Sequence, residues 1–344
     1  MSTKHLVVGF GTVALATLLG VITFSTHGTS VRIAAYGLTD TRFSQPNEES
    51  IYYSIPQTCT ECCQHEPLPW IDSKIAPRAI TQVQYWKIMS LMNLVDMVFK
   101  ENKVPYFVFG GALYGSYMCH DLLPWDDDID IVVKVGERRH AEKLLLSLAP
   151  EYTVTNHTDK KYDKFHLKST PKKWKYAWSW PFIDISFYDE NSTHVWEHHM
   201  RKTPHRVYPR AMVFPLHQRP YGPYMFPSPR DTLGFLKHSI NGSNDNKKVF
   251  TCGNQGWRHQ AETSFKKKLV PCTEIMKEYP HVHRRKAPEG GAVTETLMLN
   301  GRAVYSCVIA EPDHLITNGA YSFELEPLTS STKTNIPIKI AARS

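Results

Sequence analysis

Gly110-Gly111-Ala112-Leu113-Tyr114-Gly115-Ser116 and, shortly after it, Pro124-Trp125-Asp126-Asp127-Asp128-Ile129-Asp130-Ile131 are the stretches on which the fold turns. Asp126, Asp128 and Asp130 stand at alternate positions. On a strand they point to one side and Asp127 to the other. The alternation of Ile129 and Ile131 with the acids argues for a half-buried strand over a solvated acidic loop. Carboxylates crowded on one face repel, and a divalent cation among them relieves the repulsion. A glycine-rich turn lets backbone amides come close to a phosphate, which makes Gly110, Gly111, Gly115 and Ser116 candidate phosphate-binding positions. Together these are parts suited to phosphoryl chemistry.

Outward from this core the pattern alternates helix and strand. Apolar residues at helical spacing predict a helix over 81–100 with a broad buried face that includes Val83 and Trp86. Residues 105–109 read as a strand, 112–118 as a helical turn or short helix, 128–133 as a strand and 137–148 as a helix. Phe182-Ile183-Asp184-Ile185-Ser186-Phe187-Tyr188 is a further strand with an acid in its middle. A buried carboxylate needs a partner, and the metal implied by the first cluster is the simplest one. Asp184 is therefore a candidate metal ligand, or the base for an acceptor hydroxyl. Residues 202–230, dense in Pro and aromatics, read as irregular structure over a core.

The segment GGALYGSYMCHDLLPWDDDIDIVV resembles the LicD family, which includes fukutin and fukutin-related protein. That resemblance implies a mixed α/β nucleotidyltransferase-like fold, with a mixed sheet flanked by helices. It maps the family pattern onto the Gly110-Gly111 turn, the pair Asp128 and Asp130 with Asp126 beside it, and Asp184 on the later strand. It also implies Mg²⁺ or Mn²⁺ as cofactor, a CDP-linked donor, and a glycan or glycoprotein acceptor. The implied reaction moves phosphocholine or a phospho-alditol such as ribitol phosphate onto the acceptor, with attack at the donor's β-phosphate and departure of CMP. One departure stands out: where relatives carry a basic residue after the second glycine turn, this chain has Met118-Cys119-His120. His120, Lys164, Lys168, Arg138 and Arg139 are the candidates to supply the charge. A catalytically silent scaffold of the same fold, and a nucleotidyltransferase releasing diphosphate, are the alternatives.

Length and composition bound the rest. The 344 residues, 42% hydrophobic and 21% charged, fit a globular body with a substantial core. The net charge of +7 is mild for this length, and neither zinc-finger spacing nor a long basic helix points to nucleic acid. After a short tail at 1–5, residues 6–25 form an uncharged apolar run long enough for one bilayer crossing. It reads as a single transmembrane signal-anchor, with a cleaved signal peptide as the alternative. Residues 26–76 read as a stem, 77–326 as the catalytic body and 327–344 as a disordered tail. Sequons at Asn156, Asn191 and Asn241 agree with a type II protein whose body is lumenal in the ER or Golgi. Among the seven cysteines, Cys59, Cys62 and Cys63 fit either disulfides or half of a zinc site, and Cys119 fits a small buried hydrophobe. The aromatic and basic run 172–180 fits either a hairpin with its indoles in the core or a sugar-stacking rim. Nothing in the sequence fixes the oligomeric state.

Overall fold

The computed structural model describes the backbone of residues 20–26 and 29–35. It also describes residues 68–310, with short gaps at 157–160, 173–175, 204–205, 242–251, 255, 267 and 288–290. Strands β1 (Gly20–Thr26) and β2 (Thr29–Ala35) pair antiparallel. Residues 6–19 of the expected membrane helix lie outside the described residues, and its last residues stand in β1 instead of a helix. The β-branched run Val21-Ile22-Thr23 suits that conformation. No described helix is long and apolar enough to cross a membrane. Most of the stem, including Cys59, Cys62 and Cys63, and the whole tail 327–344 lie outside the described residues.

Helix α1 (Gln82–Glu101) starts at Thr81, whose hydroxyl accepts from the Gln84 amide while the Gln84 side chain accepts from the Thr81 amide. Two of the free amides of the first turn are satisfied this way. Its inner face carries Ile88, Met89, Met92, Val95 and Phe99, all fully buried. Val83 and Trp86 do not join that face. They are 66% and 42% exposed, because the buried stripe is narrower than the apolar one.

Strand β3 (Tyr106–Val108) leads into α2 (Gly110–Cys119), then β4 (Ile129–Lys134), a short 3-10 turn and α3 (Arg138–Leu146). The hairpin β5 (Tyr152–Asn156) and β6 (Asp163–Leu167) follows, and then β7 (Phe182–Glu190), β8 (His194–Glu197) and β9 (Val207–Pro209). These strands form one mixed sheet in the order β3-β4-β7-β6-β5, with β8 and β9 continuing from the far end of β7. Only β4 and β7 run parallel within it. Alternate residues of β3 face opposite layers. Tyr106 meets Phe99 of α1, and Phe107 meets Phe235 on the other side.

Residues 202–230 are more regular than their composition implies. A short α4 (Arg210–Val213) precedes the antiparallel hairpin of β10 (His217–Tyr221) and β11 (Tyr224–Ser228). A two-stranded ribbon has open edges on both sides, so Pro220 and Pro227 fit without a missing ladder bond. Helix α5 (Thr232–Asn241) then brings Phe235 onto Tyr208, with ring centroids 4.0 Å apart.

Beyond this, β12 (Cys252–Asn254), β13 (Trp257–Arg258), β14 (Thr263–Ser264) and β15 (Lys268–Val270) make two small ribbons, β12 with β15 and β13 with β14. A disulfide joins Cys252 to Cys272, the first residue of α6 (Cys272–Glu278). The described chain ends in a three-stranded antiparallel sheet of β16 (His281–Lys286), β17 (Ala292–Leu299) and β18 (Arg302–Ala310). That sheet has a small core of its own around Val282, Leu297 and Ile309.

Candidate active site

The register of the mixed sheet assembles the site. Asp130 of β4 lies directly opposite Asp184 of β7 in the parallel pair, and Lys164 of β6 lies directly opposite Asp184 in the antiparallel pair. An acid, an acid and a cation therefore stand in one row across three neighbouring strands. Asp126 and Asp128 approach from the extended segment that enters β4. Asp128, Asp130 and Asp184 each place a carboxylate oxygen within 4.8 Å of the others, and Asp126, Asp127 and Asp128 do the same among themselves.

Asp127 nevertheless has a separate task. Its two oxygens accept the backbone amides of His259 (3.1 Å) and Gln260 (2.7 Å), and Trp180 donates its indole N–H to the Asp127 carbonyl at 2.7 Å. Both of its oxygens are engaged by the distant hairpin, although one still lies within 4.8 Å of a carboxylate oxygen of Asp126 and of Asp128.

Gly110 and Gly111 open α2 against the carboxylates. A Cβ on Gly110 would sit 2.6 Å from Asp130 Oδ2, and one on Gly111 2.2 Å from Asp126 Oδ2. Gly110 also has a φ of +52°, which favours glycine. No side chain caps this helix start. The Gly111 amide donates to the Asp130 carboxylate, and the positive end of the helix dipole faces the acids.

The other half of the glycine motif lies elsewhere. Ser116 is fully buried and donates its hydroxyl to the Pro220 carbonyl at 2.8 Å. Gly115 is packed on the Asp121 carbonyl. Neither reaches the acidic cluster. Their small size lets α2 sit close to its neighbours.

Burial and crowding shift the acids together. Burial, then Asp130 and Asp127, push Asp126 up to about 7. Asp130 is pushed up to about 6 by burial and by Asp184, against the pull of His259, Lys164 and the Gly111 amide. Asp128 is driven well above the carboxylate range by burial and by Asp130, Asp126 and Asp184. Such a group either takes up protons or binds a cation. Asp184 shows which. One of its oxygens accepts the buried Lys164 ammonium at 2.7 Å, and the other is buried without a hydrogen bond. An all-oxygen donor set with an unsatisfied oxygen fits a hard divalent metal ion.

Of the basic residues expected to replace the missing cation, Lys164 alone is placed on the acidic cluster. Its ammonium also lies 3.7 Å from the centre of the Phe182 ring. Arg138 forms a two-point pair with Asp163 (3.0 and 2.6 Å). His120 does not supply charge to the site. It is fully buried, with Nε2 2.6 Å from Glu295 and Nδ1 2.9 Å from the Tyr305 hydroxyl, and burial lowers its pKa.

Two residues escaped the sequence reading. His259 Nε2 lies 3.3 Å from Asp128 Oδ2, and its Nδ1 side faces Glu262 at 3.9 Å. Burial pulls the imidazole down, but Glu262, Asp130 and Asp127 outweigh it and the net direction is up. Glu262 accepts the Trp178 indole N–H at 2.9 Å. Trp178 and Trp180 are both buried, so these indoles of the aromatic run belong to the core behind the site and not to an exposed rim. No local motif marks His259 or Glu262; only the approach of a distant hairpin brings them in.

No curated protein matches the sequence. Residues 103–231 match the family model described as LicD/FKTN/FKRP, nucleotidyltransferase domain. That span contains the glycine turn, all four clustered acids and Lys164, whereas His259, Glu262 and the sheet β16–β18 lie beyond it. Residues 103–231, which carry the acidic cluster and the helix that faces it, are thus similar to the LicD/FKTN/FKRP nucleotidyltransferase domain.

Proposed function

We propose that the protein transfers a phospho-substituent, phosphocholine or a phospho-alditol, from a CDP-linked donor to a hydroxyl of a glycan, with Mg²⁺ or Mn²⁺ as cofactor. The family supplies the phosphotransferase class. The observation that carries the reading is the half-buried cluster of Asp126, Asp128, Asp130 and Asp184, crowded by mutual repulsion and retaining one unsatisfied oxygen. Asp126, Asp128 and Asp130 would hold the ion, and Asp184 would either complete its shell or serve as the base. When bound, it would neutralise the donor's diphosphate and favour in-line attack.

The chain's own groups have defined tasks in this reading. The start of α2, with no side chain at Gly110 and Gly111, lets the Asp126 and Asp130 carboxylates press against the helix and turns its positive dipole towards the site. Lys164 holds Asp184 in place and keeps a positive charge beside it. The acceptor hydroxyl attacks the donor's β-phosphate, its proton passes to a carboxylate of the cluster, Asp184 being the candidate, and CMP leaves. A lumenal body in the ER or Golgi behind an N-terminal membrane segment completes the proposal.

The test incubates the protein with a panel of CDP-alcohols, a glycan acceptor and Mn²⁺. CMP release is expected, and its loss when Asp128 and Asp130 are both changed to Asn. Retained turnover in that double variant rules out the mechanism, and release of diphosphate when CTP and an alcohol phosphate replace the CDP-alcohol assigns the reaction to the nucleotidyltransferase class. A second reading has one observation in its favour. The Lys164 ammonium already neutralises one member of the cluster, as a silent scaffold would require. In that case CDP binding is independent of Mn²⁺ in calorimetry.

A further inference from the structure

We propose that the hairpin of β13 and β14 is part of the metal centre, and that His259 is the residue that holds Asp128 in its ligating orientation. This rests on the reading of the acidic cluster as a metal site, and it assigns a role to residues outside the span shared with the family.

Four contacts carry the inference, and they converge from different elements. Asp127 accepts the His259 and Gln260 amides on its two oxygens, so the residue next to Asp128 anchors the hairpin. The anchor places His259 Nε2 3.3 Å from Asp128 Oδ2. Glu262, fixed by the Trp178 indole N–H at 2.9 Å, lies on the opposite side of the imidazole. The edge of the same ring packs against Phe182, with centroids 5.6 Å apart, and Phe182 opens the strand that carries Asp184.

The physical need is specific. Asp126, Asp130 and Asp184 all repel Asp128. Left alone, its side chain would rotate away from them in the absence of an ion and would have to be reoriented on binding. A ring set between Asp128 (3.3 Å) and Glu262 (3.9 Å), anchored through its own backbone amide and packed on Phe182, confines one oxygen of Asp128 in advance. Partners of this kind around a metal ligand typically account for about 10- to 100-fold in metal affinity. His259 is thus a positioning residue that acts through Asp128.

The experiment titrates the full chain with Mn²⁺ by calorimetry, without donor or acceptor, and records Tm in chelator for each variant. His259→Ala is expected to weaken Mn²⁺ binding by about 10-fold or more. His259→Gln, which returns an N–H near the Nε2 position, is expected to recover part of the loss. Tm in chelator should change little in either. Glu262→Gln keeps an acceptor for Trp178 and should weaken Mn²⁺ binding less than His259→Ala does. If His259→Ala binds Mn²⁺ like the wild type, the positioning role is overturned while the metal site stands. If His259→Ala does not fold, wild-type affinity in both His259→Gln and Glu262→Gln overturns it equally. If the wild-type chain takes up no Mn²⁺, the metal reading itself fails.

Discussion

At the scale of single residues the site is a problem of charge. Asp126, Asp128 and Asp130 are held above the carboxylate range by burial and by one another, and Lys164 offsets only part of this. Removing one member of a buried pair strands the other. Lys164→Met should therefore destabilise the protein by about 3 kcal/mol in chelator, and by distinctly less in saturating Mn²⁺, where the ion supplies the missing charge. Urea unfolding in the two conditions measures the difference, and equal losses would contradict the account. The pH dependence has a fixed sign. Asp126 near 7 and Asp130 near 6 lie above their unfolded value of 3.8, so the native protein holds more protons than the unfolded chain between about pH 4 and 7. Their contribution to stability is complete below about pH 4 and is lost as pH rises through 6 to 7. A divalent ion competes with those protons. The rise in Tm on adding Mn²⁺ should thus be small at pH 5 and large at pH 8, and thermal melts at the two values check it.

At the scale of elements, α2 is held at both ends. Its start faces the acids, and its left-handed cap residue His120 is locked to Glu295 of β17. Glu295 is fully buried and also accepts from Arg219 (2.8 Å) and Arg284 (2.7 Å). Burial pushes this carboxyl up, but the two arginines and His120 outweigh it and hold it well below its usual range. Its contribution is therefore full above the ordinary carboxyl value of about 4.5 and is lost progressively as pH falls below it towards the lowered native value. Glu295→Ala leaves two buried guanidinium groups without their carboxylate and should cost about 3–5 kcal/mol, read from urea unfolding. A loss below 1 kcal/mol would show that the network is not what ties β16–β18 to α2. These elements also mark what was legible in the sequence. The helix at 81–101, the strands around Asp130 and Asp184, and the glycine turn were visible because period and local spacing encode them. A glycine-rich motif has one appearance in sequence whether it meets a phosphate or a neighbouring backbone, so only the fold separates Gly115 and Ser116, packed on Asp121 and Pro220, from Gly110 and Gly111. Glu295, Arg219 and His259 were invisible because their partners lie far away in sequence, and a buried ion pair leaves no periodic trace.

At the scale of the molecule, the span matched by the family shares one core with the segment that runs from α5 to α6, while β16–β18 keep the small core of their own. α6 and the disulfide of Cys252 with Cys272 join the same buried cluster as α1 and the mixed sheet. The proposed lumenal body can be tested on the surface. Asn191 is exposed at the turn between β7 and β8, and its side-chain carbonyl accepts from Thr193 and His194. Asn156 donates its amide nitrogen to Asp163 at 2.8 Å and is tied down. Expressed through a secretory pathway, the protein should carry a glycan at Asn191, and Asn191→Gln should remove one glycosidase-sensitive step in gel mobility. An unchanged mobility would count against the lumenal assignment. Finally, the bridge between Cys252 and Cys272 spans 20 positions, and His259 and Glu262 sit inside the ring it closes. Closing a ring of that size restricts the wandering of everything in it. Cleaving that bridge with a mild thiol would slacken the lariat that presents the imidazole, so grip on manganese would decline before the fold itself gave way.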